Sequence, residues 1–122
     1  ARAASRATPE QRDRLRDLAS NITDAAAIPD VPEFMRIDGE ADAILESASR
    51  NTFAVQATAP LHTHCRRFWF MYRQNSDLPQ SARLHSDLFT AVADAEPTKS
   101  SSASDALLDY LVQFTRSALE DY

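Results

Sequence analysis

The chain holds one glycine, one cysteine and one lysine. Glycine usually makes up about 7% of a sequence, and tight hairpins and phosphate-cradling loops depend on it. With Gly39 as the only glycine in 122 residues, a sheet-rich fold is hard to build. The Gly-x-Gly-x-x-Gly and P-loop patterns are both missing, which excludes the nucleotide-binding classes that rest on them. Cys65 has no partner for an internal disulfide, so nothing supports an oxidising compartment and a reducing one is favoured. No apolar run approaches the roughly 20 residues that span a bilayer, so a soluble protein without membrane contact is expected. The compartment itself cannot be read.

What is present points to helices. Alanine, the best helix former, occurs 21 times. Hydrophobic residues at 43% and charged residues at 25% lie near globular averages, and the length suits one domain with one core. The chain opens Ala1-Arg2-Ala3-Ala4, with neither a methionine nor an apolar leader, and so is expected to be a fragment of a larger protein.

Charge is distributed in blocks. Residues 1–16 carry a net +3, residues 17–60 a net −6, residues 61–83 a net +3 and residues 84–122 a net −5. Alternating blocks give one surface both signs to offer a partner or a second copy.

Five helical segments are predicted. "TPEQ" opens the first, with Thr8 as N-cap, Pro9 in the first turn and Gln11 in the reciprocal capping position. Leu15, Leu18 and Ile22 then share one face. The stretch "PDVPEFMRIDG" reads as irregular, and a second helix is expected from Asp38 or Gly39 with Ile44, Leu45 and Ala48 inward. Near 52–57 a short extended segment competes with continued helix. A third helix covers "LHTHCRRFWFMYRQ", and a fourth is capped by Asp77, with Leu84, Leu88, Phe89 and Val92 inward. The polar stretch 96–103 reads as a loop before a fifth helix, which begins near Ser102 or Ser104. That helix carries a wide apolar face and is expected to be the most buried. The fold expected is an all-α bundle of four or five helices, with 1–7 as a flexible basic arm and 8–122 as a single helical domain.

On a helical wheel, Leu61, His64, Cys65, Phe68, Tyr72, Trp69 and Met71 sort to one side of the third helix. His62, Arg66, Arg67, Phe70 and Arg73 sort to the other. His62 and Cys65, with His85 from the next helix, are weak metal-ligand candidates. No paired Cys/His pattern supports them, so no metal and no other cofactor is expected. Cys65 reads as a small buried hydrophobe. Its neighbouring histidines on the same helix do not face it, and no Gly-x-Ser-x-Gly elbow is present, so an enzyme is not expected. Glu40, Asp42, Asp105 and Asp109 read as solvated or capping charges.

The function expected from these features is a non-catalytic helical module for protein–protein interaction or self-assembly. Its partner surface would be Arg66, Trp69, Phe70 and Arg73, with Phe34 and Met35 as a secondary apolar patch. The alternative is a strand-packaging nucleic-acid-binding domain, in which Arg66, Arg67, Arg73 and the N-terminal arginines hold phosphates and Phe70 stacks on a base. The partner is thus another protein, a second copy or a nucleic acid.

Overall fold

The computed structural model describes residues 1–50, 64–73 and 77–120. All elements among these residues are helices: α1 (Arg2–Arg6), α2 (Pro9–Ala27), α3 (Val31–Ser49), α4 (64–72), α5 (Asp77–Ala93) and α6 (Pro97–Glu120). The expected all-α bundle is therefore the fold. The segment near 52–57 lies outside the described residues, as does His62.

Helix α2 begins as its sequence dictates. The Gln11 N–H donates to Thr8 Oγ1 at 3.1 Å, and the Thr8 N–H donates to Gln11 Oε1 at 2.9 Å, closing the capping box. Leu15, Leu18 and Ile22 are wholly buried, and each contributes about 1.5–3 kcal/mol by leaving water. They pack chiefly against α5, on which α2 lies most extensively, and also against α3.

Helix α3 starts seven residues before the expected position. Asp30 is its N-cap, accepting from the Glu33 N–H at 3.1 Å, and Pro32 sits in the first turn. The longer helix places Phe34, Ile37, Asp38, Ala41 and Ala48 on its buried face. Asp38 is thus an interior residue and not a cap.

Helix α5 ends in a Schellman motif. Ala95 is left-handed (φ 57°), its N–H reaches Val92 O at 3.1 Å, and the Glu96 N–H reaches Ala91 O at 3.0 Å. Pro97 then opens α6 directly, so residues 97–103, expected as loop, form its first turns. Helix α6 packs on α5 and α1, and its Tyr110 and Phe114 meet Trp69 and Phe68 of α4. Ser100 is its one buried residue among those described, and Leu108, Val112 and Leu119 are exposed at 57, 49 and 61%. The expectation that this helix is the most buried is corrected: a wide apolar face was read as a core face, but only part of it has a neighbour.

Residues 1–7, expected as an arm, contain α1, with Ala3, Ala4 and Ala7 buried. The N-terminal arginines act as ties between helix ends. Arg12 donates to Val92 O and to Ala4 O, both at 2.9 Å. Arg16 donates to Ala93 O at 2.8 Å, and Arg6 to Ser49 O at 3.1 Å. The last carbonyls of a helix lack internal partners and carry partial negative charge, which a guanidinium satisfies. No helix of the described residues is long and apolar enough to cross a membrane.

Candidate functional site

Helices α3, α4, α5 and α6 enclose a cavity of about 260 Å³. Leu45, Leu88, Leu107 and Leu111 make its apolar wall, and Phe34 and Trp69 its aromatic one. The two rings stack with centroids 5.2 Å apart and an interplanar angle of 21°. Trp69 Nε1–H donates to Tyr110 Oη at 3.1 Å, which ties the α4 wall to α6. Burial raises the Tyr110 phenol pKa most, the hydrogen bond from Trp69 opposes that, and the charge of Asp77 adds to it.

The floor is polar. Asp38 from α3 and His85 from α5 are both buried, with His85 Nε2 3.3 Å from Asp38 Oδ1. On its other side, His85 Nδ1–H donates to the Ser81 carbonyl at 2.7 Å. Burial is the largest single influence on His85 and works against the imidazolium. The Asp38 carboxylate, the Ser81 carbonyl and the more distant charge of Asp42 together outweigh it, so the His85 pKa is raised above its ordinary value. The ring thus lies between two acceptors, the Asp38 carboxylate and the Ser81 carbonyl. Phe34 and Phe89 approach it edge-on, at centroid distances of 6.0 and 5.9 Å.

Arg66 from α4 pairs with Asp42, one turn beyond Asp38 on α3, and Glu46 lies one turn further. Cys65 lines the mouth and is exposed. It is not the buried hydrophobe expected, because α4 turns Trp69 inward instead. Asp42, read as solvated, is half-buried and paired.

The six residues of the expected partner surface divide between two places. Phe34, Trp69 and Arg66 line the cavity, and the first two are core, with Trp69 only 4% exposed. Met35, Phe70 and Arg67 lie with Met71 on a shallow outer groove that Arg66 also borders. Phe70 is 42% exposed, and the Arg73 guanidinium sits 4.5 Å above its ring. Arg66 and Arg73 are thus engaged within the chain, as are Arg6, Arg12 and Arg16 among the N-terminal arginines. Of the weak metal candidates, His85 is on the cavity floor and Cys65 at its mouth. No group of three or more His, Cys, Asp or Glu side chains suited to hold a metal occurs among the described residues.

Sequence reasoning missed Asp38 and Ser81. Both interrupt an apolar stripe at helical spacing, Asp38 within Phe34, Ile37 and Ala41, and Ser81 within Leu78, Ala82 and His85. A carboxylate inside such a stripe was the available signal. It was lost because the helix was started at Asp38.

A family model described as FCD domain matches residues 1–110, and the chain belongs to that family. No curated protein and no solved structure matches it. FCD is the effector-binding C-terminal domain of GntR-family transcription regulators and is regulatory, not catalytic. Membership overturns the expectation of a protein-interaction or self-assembly module, and with it the strand-packaging alternative. The expectation of a non-enzymatic chain agrees with it.

Proposed function

We propose that this FCD domain binds a small-molecule effector in the cavity among α3, α4, α5 and α6, and passes its occupancy on to a transcription regulator. One observation carries this reading: an apolar cavity with a buried, hydrogen-bonded His85–Asp38 pair on its floor. Ligand sites are concave and mostly apolar, with a few convergent polar groups that fix orientation. A buried ionisable pair is costly to assemble and weak as a source of stability, so its presence beside a cavity favours a binding role. Phe34, Trp69, Arg66, Asp38, Ser81 and His85 are the residues assigned to the site. Met35, Phe70 and Arg73 lie outside it and have no part in this reading.

Helix α6 provides the route outward. It supplies Ser104, Leu107, Leu108 and Leu111 to the cavity, and it packs on α5 and α1 and meets α4 through Tyr110 and Phe114. A ligand that wedges against these leucines pushes on a helix of which little but Ser100 is buried. Regulators that contain FCD domains dimerise and bind DNA, and self-association of this chain within such a regulator fits the same picture.

The test is a thermal-shift panel of small metabolites against the wild-type chain and Ser104→Phe, which fills the cavity from α6. A ligand at about a hundred times its Kd adds about 2.7 kcal/mol to stability. At least one compound is expected to raise the melting temperature of the wild type and not of the variant. Compounds that act equally on both, or a panel without effect, would count against the site.

A further inference from the structure

The charges that line the cavity specify its ligand further, and the inference rests on the effector-site reading above. Three carboxylates face the cavity, Asp38, Asp42 and Glu46, against two cationic groups, Arg66 and His85. Arg66 is held by Asp42. An incoming carboxylate would therefore meet an acidic surround and would have to draw Arg66 away from its partner. The rest of the lining is leucine and aromatic. At about 260 Å³ the space lies just below the range of about 300–1,000 Å³ usual for drug-sized ligands, so the molecule is small.

We infer that the cavity takes a small apolar molecule with a cationic head, an alkyl or arylalkyl amine, whose ammonium sits between the Asp38 carboxylate and His85 Nε2. Without a ligand, the proton on His85 Nε2 is what Asp38 accepts. When the ammonium enters, it donates to Asp38 in place of that proton. His85 releases the proton to solvent and keeps Nδ1–H on the Ser81 carbonyl, so its bare Nε2 becomes a second acceptor for the ammonium. The charge within the cavity is unchanged by the exchange. One cation replaces another, and the apolar body gains the leucine wall. The mode of recognition is neutral imidazole plus carboxylate, which a ligand carboxylate cannot use.

The exchange makes binding depend on pH with a definite sign. The charged groups that face His85 and its cavity are Asp38, Asp42 and Glu46 from α3, with Arg66 and Cys65 from α4 bordering the same space. Helix α6 brings only Ser104 and leucines, and α2 packs behind α5 through Leu15, Leu18 and Ile22. Release of one proton per ligand bound strengthens affinity about tenfold per pH unit while His85 is protonated in the free protein. An anionic ligand would show the reverse or no trend.

The experiment is calorimetric titration of the whole chain with phenethylamine, its neutral analogue phenethyl alcohol and its anionic analogue hydrocinnamate, at about pH 6 and about pH 9. The amine is expected to bind about tenfold or more tighter than either analogue, the range of a charge-assisted hydrogen bond, and to bind more tightly at the higher pH. Asp38→Asn is expected to reduce the amine to the level of the alcohol; if that variant does not fold, the wild-type pH series carries the test. Tightest binding by hydrocinnamate, or amine binding that is indifferent to pH, overturns the cationic class. A compound that binds in this way but is lost in Ser104→Phe still leaves the cavity as the effector site. Failure of all three compounds also overturns the class, and the metabolite panel then decides the wider reading.

Discussion

His85 Nε2 lies 3.3 Å from Asp38 Oδ1 while His85 Nδ1–H is bound to the Ser81 carbonyl at 2.7 Å. An imidazole held by two acceptors has a use for both of its protons. The pair joins α3 to α5 at the base of the cavity, so the protonation state of one ring bears on stability and on the site together.

Because the folded-state pKa of His85 is raised, the stability it confers is fully present below the unfolded value of about 6.5 and is lost as pH rises through the folded value. Removal of one partner of a buried pair costs about 3–5 kcal/mol. Urea denaturation at acidic and at alkaline pH is expected to show Asp38→Asn destabilised by about that amount at the acidic end. The gap should narrow at the alkaline end. A gap that widens with pH would mean that His85 is neutral in the fold.

Phe34 and Trp69 are core residues, whereas Phe70 is on the surface. Truncation of either core ring to alanine is expected to cost about 3–5 kcal/mol. Phe70→Ala should cost less than about 1 kcal/mol, most of it from the lost Arg73 stacking. Chemical denaturation of the three variants checks the ordering.

Arg12 joins the ends of α1 and α5 through two carbonyls. Charge-assisted hydrogen bonds of this kind contribute about 1.5–3 kcal/mol. Arg12→Met, which keeps most of the aliphatic stem, is expected to lower stability by about 2 kcal/mol. Arg12→Lys should restore little of it, since one ammonium cannot span two carbonyls as the planar fork does. Melting temperatures of the two variants provide the comparison.

Ala95 occupies the left-handed position of a Schellman motif that glycine usually fills. A non-glycine residue there is strained by about 1–2 kcal/mol, while glycine adds entropy to the unfolded chain. Ala95→Gly is expected to raise stability by up to about 1 kcal/mol, as read from the denaturation midpoint. A loss of stability would mean that the Ala95 side chain makes contacts that outweigh the strain.

Local signals were legible in the sequence where each agreed with the tertiary structure. Thr8, Pro9 and Gln11 marked the start of α2, and Leu15, Leu18 and Ile22 marked its core face, since caps and period are properties of one segment. The start of α3 was missed because "PDVPEFMRIDG" reads as irregular, although Pro32 lies in a first turn and Asp30 caps it. The orientation of α4 was only half legible. The wheel placed Phe70 outward, as found, but turned Cys65 inward where the fold buries Trp69. Which side of an aromatic-rich helix meets the core depends on its neighbours, here Phe34 and Tyr110. Burial of α6 was misjudged for the same reason. The site itself was the least legible part, because Asp38 and His85 are 47 positions apart and only the packing of α3 on α5 brings them together.

Trp69 is the only tryptophan, and its ring lines the cavity. Its emission is therefore the most direct report on whether the cavity is the effector site. A compound that raises the melting temperature is expected to change Trp69 fluorescence saturably, with the midpoint that calorimetry gives, and to lose both effects in Ser104→Phe. A stabilising compound that leaves Trp69 emission unchanged, or that acts alike on Ser104→Phe, would place its site elsewhere and contradict the assignment.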